Sequence, residues 1–156
     1  MKISTILQPQ YIRHDLVAES KDDVIQAMLD LVQDHPNILD MEKVKTAVFE
    51  REKIMSTGVG KGFAIPHGKS EGVTDIVAAL AVLKNPIDFQ SLDGEPVKLV
   101  VLLAARDSMV NLHIKLLSRI SRLMNKDEFR EKLLKAVSSE ELFKLIQDEE
   151  EQYPEI

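Results

Sequence analysis

Two runs of apolar residues constrain this chain most. Asp75–Leu83 and Pro96–Ala105 are rich in Val, Leu and Ala at odd and even positions alike, and Gly, Pro and Asn bound them. A strand turns alternate side chains to opposite faces of its sheet, so apolar residues at every position call for cover on both sides. The pair therefore predicts central strands of a sheet lying between layers of helices. Their longest apolar stretches, Ile76–Leu83 and Leu99–Ala105, fall short of the ~18 residues that a membrane span requires.

The remaining periodicity supplies the helices. The first 19 residues read as irregular, because Pro9 breaks an apolar start; Tyr11–Ile12 or Leu16–Val17 can add a short strand. Ser20 suits an N-cap, with Asp22 and Asp23 at the positive end of a helix over about 21–34. Val24, Met28, Leu31 and Val32 form its apolar stripe, and His35-Pro36-Asn37 stops it. Asp40 caps a second helix to about Lys53, with Val44, Val48 and Met41 inward. Leu112, Leu116, Ile120 and Leu123 mark a helix over about 109–124, and two more follow over about 127–136 and 140–147. The expected fold is a single layered α/β domain with a mixed, mostly parallel sheet of about five strands, flanked by helices on both faces. It occupies residues 1–150. An acidic tail, 151–156, follows, and Asp148–Glu151 with the Gln-Tyr-Pro-Glu-Ile end reads as loosely held.

Composition removes several function classes. With 44% apolar and 29% charged residues the chain is not a disordered one. It has no cysteine, which excludes disulfides, thiolate metal sites and a cysteine nucleophile, and fits a reducing cytoplasm. A net charge of −6 and only 4% aromatic residues disfavour nucleic-acid binding by a basic face or by base stacking. The N-terminus has no long apolar segment of the secretory kind.

Chemistry concentrates between Ser56 and Lys69, where Ser-Thr-Gly-Val-Gly-Lys-Gly-Phe-Ala-Ile-Pro-His-Gly-Lys contains four glycines within eleven residues. Such a segment suits a short strand pair or bulged strand leading into a loop. Gly68-Lys69-Ser70 imitates the end of a phosphate-binding loop, but the first glycine is one residue out of register: Phe63 stands where it is needed. His14, His35, His67 and His113 show no zinc-ligand spacing, and no serine sits in a nucleophile elbow. His67 stands out. Pro66 fixes its own φ and extends Ile65, Gly68 leaves room for close approach, and a neutral imidazole nitrogen is a nucleophile at cellular pH. The local pattern is equally compatible with a loop histidine that has no role.

Glu50-Arg51-Glu52, Ser56-Thr57-Gly58-Val59-Gly60 and Ala64-Ile65-Pro66-His67-Gly68 together resemble the type-2 EIIA family of the phosphoenolpyruvate:sugar phosphotransferase system, which includes fructose, mannitol and nitrogen-regulatory members. Asn111–Arg119 resembles that family's second-histidine helix, and Ser138-Ser139-Glu140-Glu141-Leu142 its last helix start. The resemblance covers nearly the whole chain, with Phe63 in place of an expected aliphatic residue. It implies that His67 accepts a phosphoryl group on Nε2 from the phosphocarrier HPr and passes it to an EIIB domain. It implies no cofactor, a cytoplasmic location, and contact with the membrane only indirectly through EIIC.

The same resemblance assigns phosphate stabilisation to His113 and Arg51. Read alone, His113 fits a core histidine and Arg51 a surface ion pair with Glu50 or Glu52. Thr57 offers a hydroxyl nearby, and Lys61 and Lys69 either attract phosphate or are simply solvated. Phe63, Ile65, Met109 and Val110 form a candidate docking patch, although Ile65 fits the core as well. No EIIB or EIIC segment lies within the 156 residues, so a stand-alone or excised EIIA is expected. Sugar transport is the leading reading, and a nitrogen-regulatory module that controls partner proteins is the alternative.

Overall fold

The computed structural model describes residues 1–152. In chain order the elements are helix α1 (Ile3–Ile6), a 3-10 turn (Pro9–Tyr11), strand β1 (Ile12–Leu16), helices α2 (Lys21–Leu31) and α3 (Met41–Ile54), strands β2 (Gly58–Gly60), β3 (Phe63–Ala64), β4 (His67–Lys69), β5 (Val77–Ile87) and β6 (Val97–Ala105), and helices α4 (Val110–Met124), α5 (Asp127–Lys135) and α6 (Ser139–Glu150). The start of the chain is thus more ordered than its sequence suggests, because Ile3, Leu7 and Ile12 are buried in the core.

The strands form one sheet in the order β1-β5-β6-β3-β2, with β4 also paired to β6. Pairings β1·β5, β3·β6 and β4·β6 are parallel, whereas β5·β6 and β2·β3 are antiparallel. Strands β3 and β4 keep one register along β6: Phe63 faces Leu99, Ala64 faces Val100, His67 faces Leu103 and Gly68 faces Ala104. They behave as one strand interrupted at Ile65-Pro66. Proline has no N–H to give the ladder, yet its carbonyl accepts from the Leu103 N–H at 3.1 Å, so the line resumes in step.

Both faces of β5 and β6 are buried, as their composition requires. Ala78, Leu80, Val82, Val101 and Leu103 face a core shared with α1, α4, α5 and α6. Ala79, Ala81, Leu83, Val100 and Leu102 face a second core under α2 and α3. Each fully buried leucine removes enough apolar surface to contribute about 1.5–3 kcal/mol. Side chains of Ser20, Asp40 and Ser138 accept from Asp23, Lys43 and Glu141 N–H groups and so cap α2, α3 and α6.

Two expectations need correction. The acidic stretch from Asp148 is not loose: α6 runs to Glu150, whose fully buried carboxylate accepts from Ile3 N–H (2.6 Å), Ser4 N–H (2.8 Å) and Arg119 Nε (2.9 Å). It holds α1, α4 and α6 together. Residues 153–156 of the proposed tail lie outside the described residues. Phe63 and Ile65 are core residues, 2% and 3% exposed, and form no docking patch. Register explains this, since Phe63 pairs beside Leu99 and both turn toward α4. Among the described residues no helix is long and apolar enough to cross a membrane.

Candidate functional site

The interruption at Ile65-Pro66 shapes the site. Ile65 lies outside the ladder to β6, and its N–H donates instead to the Thr57 carbonyl at 3.0 Å. Its carbonyl turns back to His67, lying 2.7 Å from Nδ1. A carbonyl oxygen can only accept, so Nδ1 carries the proton and Nε2 of the neutral ring keeps a free lone pair. His67 is half-buried at the head of β4. Burial lowers its pKa from the ordinary value; the Ile65 carbonyl works against this, Arg51 lowers it further, Glu52 raises it and Lys69 lowers it. The ring is therefore neutral at pH 7.

Gly68 serves a different purpose from the one its lack of a side chain suggested. A Cβ there would stand 3.0 Å from Val48 N and 3.1 Å from the Ala47 carbonyl carbon. The glycine lets β4 lie against the backbone of α3; the space is filled from within. The same packing ends the phosphate-loop reading, since Gly68-Lys69 is strand and Ser70 leads into no helix.

Helix α4 brings the second imidazole. The His67 and His113 ring centroids are 5.4 Å apart and inclined by 49°. His113 is 4% exposed, and its buried Nδ1 has no hydrogen-bond partner among the described residues. Burial, then the neighbouring His67 and Lys69, push its pKa down to about 4, so it too is neutral at rest. Met109, the N-cap residue of α4, makes no side-chain cap bond, and the first N–H groups of the helix and their positive dipole end lie close in sequence to His113.

Arg51 sits in the last turn of α3, and its Nη1 donates to the Met55 carbonyl at 2.8 Å. It forms no ion pair with Glu50 or Glu52 among the described residues; Glu52 is paired with Lys21 instead, at 2.9 Å. The Arg51 charge thus acts on His67 without a carboxylate of its own. The Thr57 hydroxyl donates to Glu52 Oε1, so its proton is committed to support of the loop.

Lys61 Nζ is tied to Asn125 Oδ1 (2.9 Å) at the far end of α4, about 18 Å along the helix from His113 at ~1.5 Å per residue. Lys69 stays exposed and bears on both histidines. Of the expected docking residues Val110 is exposed, Met109 is half-buried against the core, and Ile54, Met55 and Ile114 are exposed apolar side chains nearby in sequence. Glu52 and Lys21 were missed in the sequence. A Glu beside an Arg near a helix end carries no signal of burial, and Lys21 comes from another helix.

The arrangement presents one oriented nucleophilic nitrogen, a guanidinium and a second imidazole. That is equipment for accepting a compact anion by nucleophilic attack. Residues 5–149 match the family described as "Phosphoenolpyruvate-dependent sugar phosphotransferase system, EIIA 2". The chain is 35% identical over 146 residues to the PTS system fructose-specific EIIABC component of Bacillus subtilis, covering 94% of this chain but only 23% of that longer protein. The crystal structure of the nitrogen regulatory protein IIA-Ntr from Neisseria meningitidis superposes with a TM-score of 0.85 at 30% identity, covering 92% of this chain and 98% of that one. The fold is also that of the mannitol IIA of Escherichia coli, solved in complex with phosphorylated IIB, with a TM-score of 0.79, 20% identity and coverage of 91% and 99%.

Proposed function

The chain belongs to the EIIA 2 family of the phosphoenolpyruvate-dependent sugar phosphotransferase system, and from that premise we propose that it relays a phosphoryl group through His67. The observation that carries this reading is the Nδ1–H bond to the Ile65 carbonyl, which leaves Nε2 as the nucleophile. Nε2 attacks the phosphorus of phosphorylated HPr. The new N–P bond forms as the bond to the donor breaks, and the donor keeps that electron pair. The ring retains its Nδ1 proton, and the Ile65 carbonyl stabilises the positive charge that builds on it. Arg51 and His113 face the phosphoryl oxygens, where fixed positive charge and N–H donors favour the transition state. An EIIB then takes the group by the reverse step, a cytoplasmic exchange that needs no cofactor. Residues 1–150 hold this machinery.

The recipient divides two readings. Likeness to the fructose EIIABC component favours a sugar-transport EIIB. Likeness to IIA-Ntr, with a TM-score of 0.85 at 30% identity, favours a regulatory role in which the phosphorylation state controls partner proteins. The test of the relay itself is intact-protein mass after incubation with phosphoenolpyruvate, enzyme I and HPr. One acid-labile phosphoryl adduct is expected, absent in His67→Ala. An adduct that persists in His67→Ala refutes the assignment. Transfer onward to a fructose-type EIIB supports transport, and a stable phosphoprotein in its presence supports regulation.

A further inference from the structure

Glu52 is the one buried carboxylate among the groups that bear on His67, and it is 7% exposed. Both of its oxygens are in use. Oε2 accepts from the Thr57 N–H at 2.7 Å and from Lys21 Nζ at 2.9 Å, and Oε1 accepts from the Thr57 hydroxyl. The bonds continue past Thr57. Its carbonyl accepts the Ile65 N–H, and the Ile65 carbonyl accepts the His67 Nδ1–H. An unbroken polar chain thus runs from Lys21 on α2, through Glu52 on α3 and the head of β2, to the reacting imidazole.

The position of Ile65 depends on this chain more than on the sheet. Ile65 sits in the gap between β3 and β4; its N–H goes to Thr57 and its carbonyl to His67. Thr57 is in turn held at its N–H and its hydroxyl by one carboxylate. A buried ion pair kept only to join two helices gains little, because desolvation offsets most of its attraction. This one ends on the nucleophile.

The geometry points to Glu52 as a positioning residue for phosphoryl transfer: by clamping Thr57 it fixes the Ile65 carbonyl, which holds the proton on Nδ1 of His67 and keeps Nε2 bare. The inference rests on the reading that His67 takes the phosphoryl group. Lys21 has the lesser part of balancing the Glu52 charge.

The test pairs a tautomer measurement with kinetics, so that the two claims fail separately. Nitrogen-15 NMR of labelled histidine reads the tautomer of unphosphorylated His67 at neutral pH and needs no partner protein. The wild type is expected to hold the proton on Nδ1. Glu52→Gln keeps the shape of the side chain but loses the charge and one acceptor. It is expected to shift the Nδ1–H to Nε2–H ratio about tenfold toward Nε2–H, and to lower kcat for phosphorylation by HPr roughly ten- to a hundredfold with little change in KM. Thr57→Val should move both readouts the same way, and Thr57→Ser should recover most of that loss. A melting curve establishes that each variant is folded. Folded Glu52→Gln with the wild-type tautomer ratio and kcat overturns the proposal; should that variant not fold, the same result in Thr57→Val overturns it. Wild-type protein with the Nδ1–H tautomer but no phosphoryl group on His67 defeats the relay reading and, with it, the catalytic purpose assigned to Glu52.

Discussion

Phosphorylation of His67 should raise the pKa of His113. At rest His113 is neutral, its pKa pushed down to about 4 by burial first, then by the neighbouring His67 and Lys69. A phosphoryl group brings about 1.5–2 negative charges, but the substituted ring keeps its Nδ1 proton and gains about one positive charge, so phosphorylated His67 presents a net of about −0.5 to −1. At the 5.4 Å ring separation, a unit charge in an effective dielectric of ~20 is worth about 3 kcal/mol, or about two pKa units. Phosphorylation therefore lifts His113 by about one to two units, to about 5–6, so the ring takes up a proton much nearer to neutrality than before. Nitrogen-15 NMR titration of labelled histidine before and after phosphorylation reads this directly. Phosphohistidine is acid-labile, so the phosphorylated form is followed in rapidly acquired spectra from alkaline pH down to about 6, where His113 should begin to protonate while the unphosphorylated protein shows no change. A His113 whose titration does not move on phosphorylation of His67 would refute the electrostatic reasoning and reduce its role to packing.

Other outcomes follow from the same geometry. Unfolding lets His113 accept a proton near its ordinary value of 6.5, whereas the folded ring resists until about 4. Acidification through that window favours the unfolded chain, and His113 alone should remove about 3 kcal/mol of stability between those limits. Urea melts at a series of pH values check this, and His113→Gln should flatten the slope; an equal slope in the variant would contradict it. Glu150→Ala leaves the buried Arg119 without this partner and two N–H groups without an acceptor, and should cost about 3–5 kcal/mol in urea unfolding. A cost below about 1 kcal/mol would show that the junction relaxes freely. Gly68→Ala forces a Cβ against the backbone at Ala47 and Val48. It should lower stability by about 1–3 kcal/mol and slow phosphorylation by shifting His67, which denaturation and phosphorylation assays measure together.

The two central strands and the five longer helices were legible because they obey local rules. Apolar patterning marked β5 and β6, and Ser20 and Asp40 cap the helices that they were expected to cap. His67 stood out in the sequence because Pro66 and the glycines interrupt regular structure around it, and the strands there are correspondingly short. Glu150 was not: within an acidic run it has the composition of a solvated tail, and its partners Ile3, Ser4 and Arg119 are far away in sequence. Glu52 was hidden in the same way, beside two basic residues that do not bind it. Nor could spacing show which nitrogen of His67 is protonated, since this depends on a carbonyl turned inward by a break in the sheet. The sequence displayed periodic burial well and hid buried charges, because a charged residue declares its partners only once the chain is folded.

The Glu150 carboxylate lies within hydrogen-bonding distance of Ile3 and Ser4, so the first and last helices meet at one point. Topologically the fold is close to a ring. A short linker could join residue 3 to residue 150, and new ends could be opened in the exposed stretch 92–96 between β5 and β6 with the sheet order intact. Domains tethered before residue 3 and after residue 150 would start from neighbouring points of the fold. Tether length, more than the choice of end, would then set the effective concentration of a fused phosphoryl donor or acceptor.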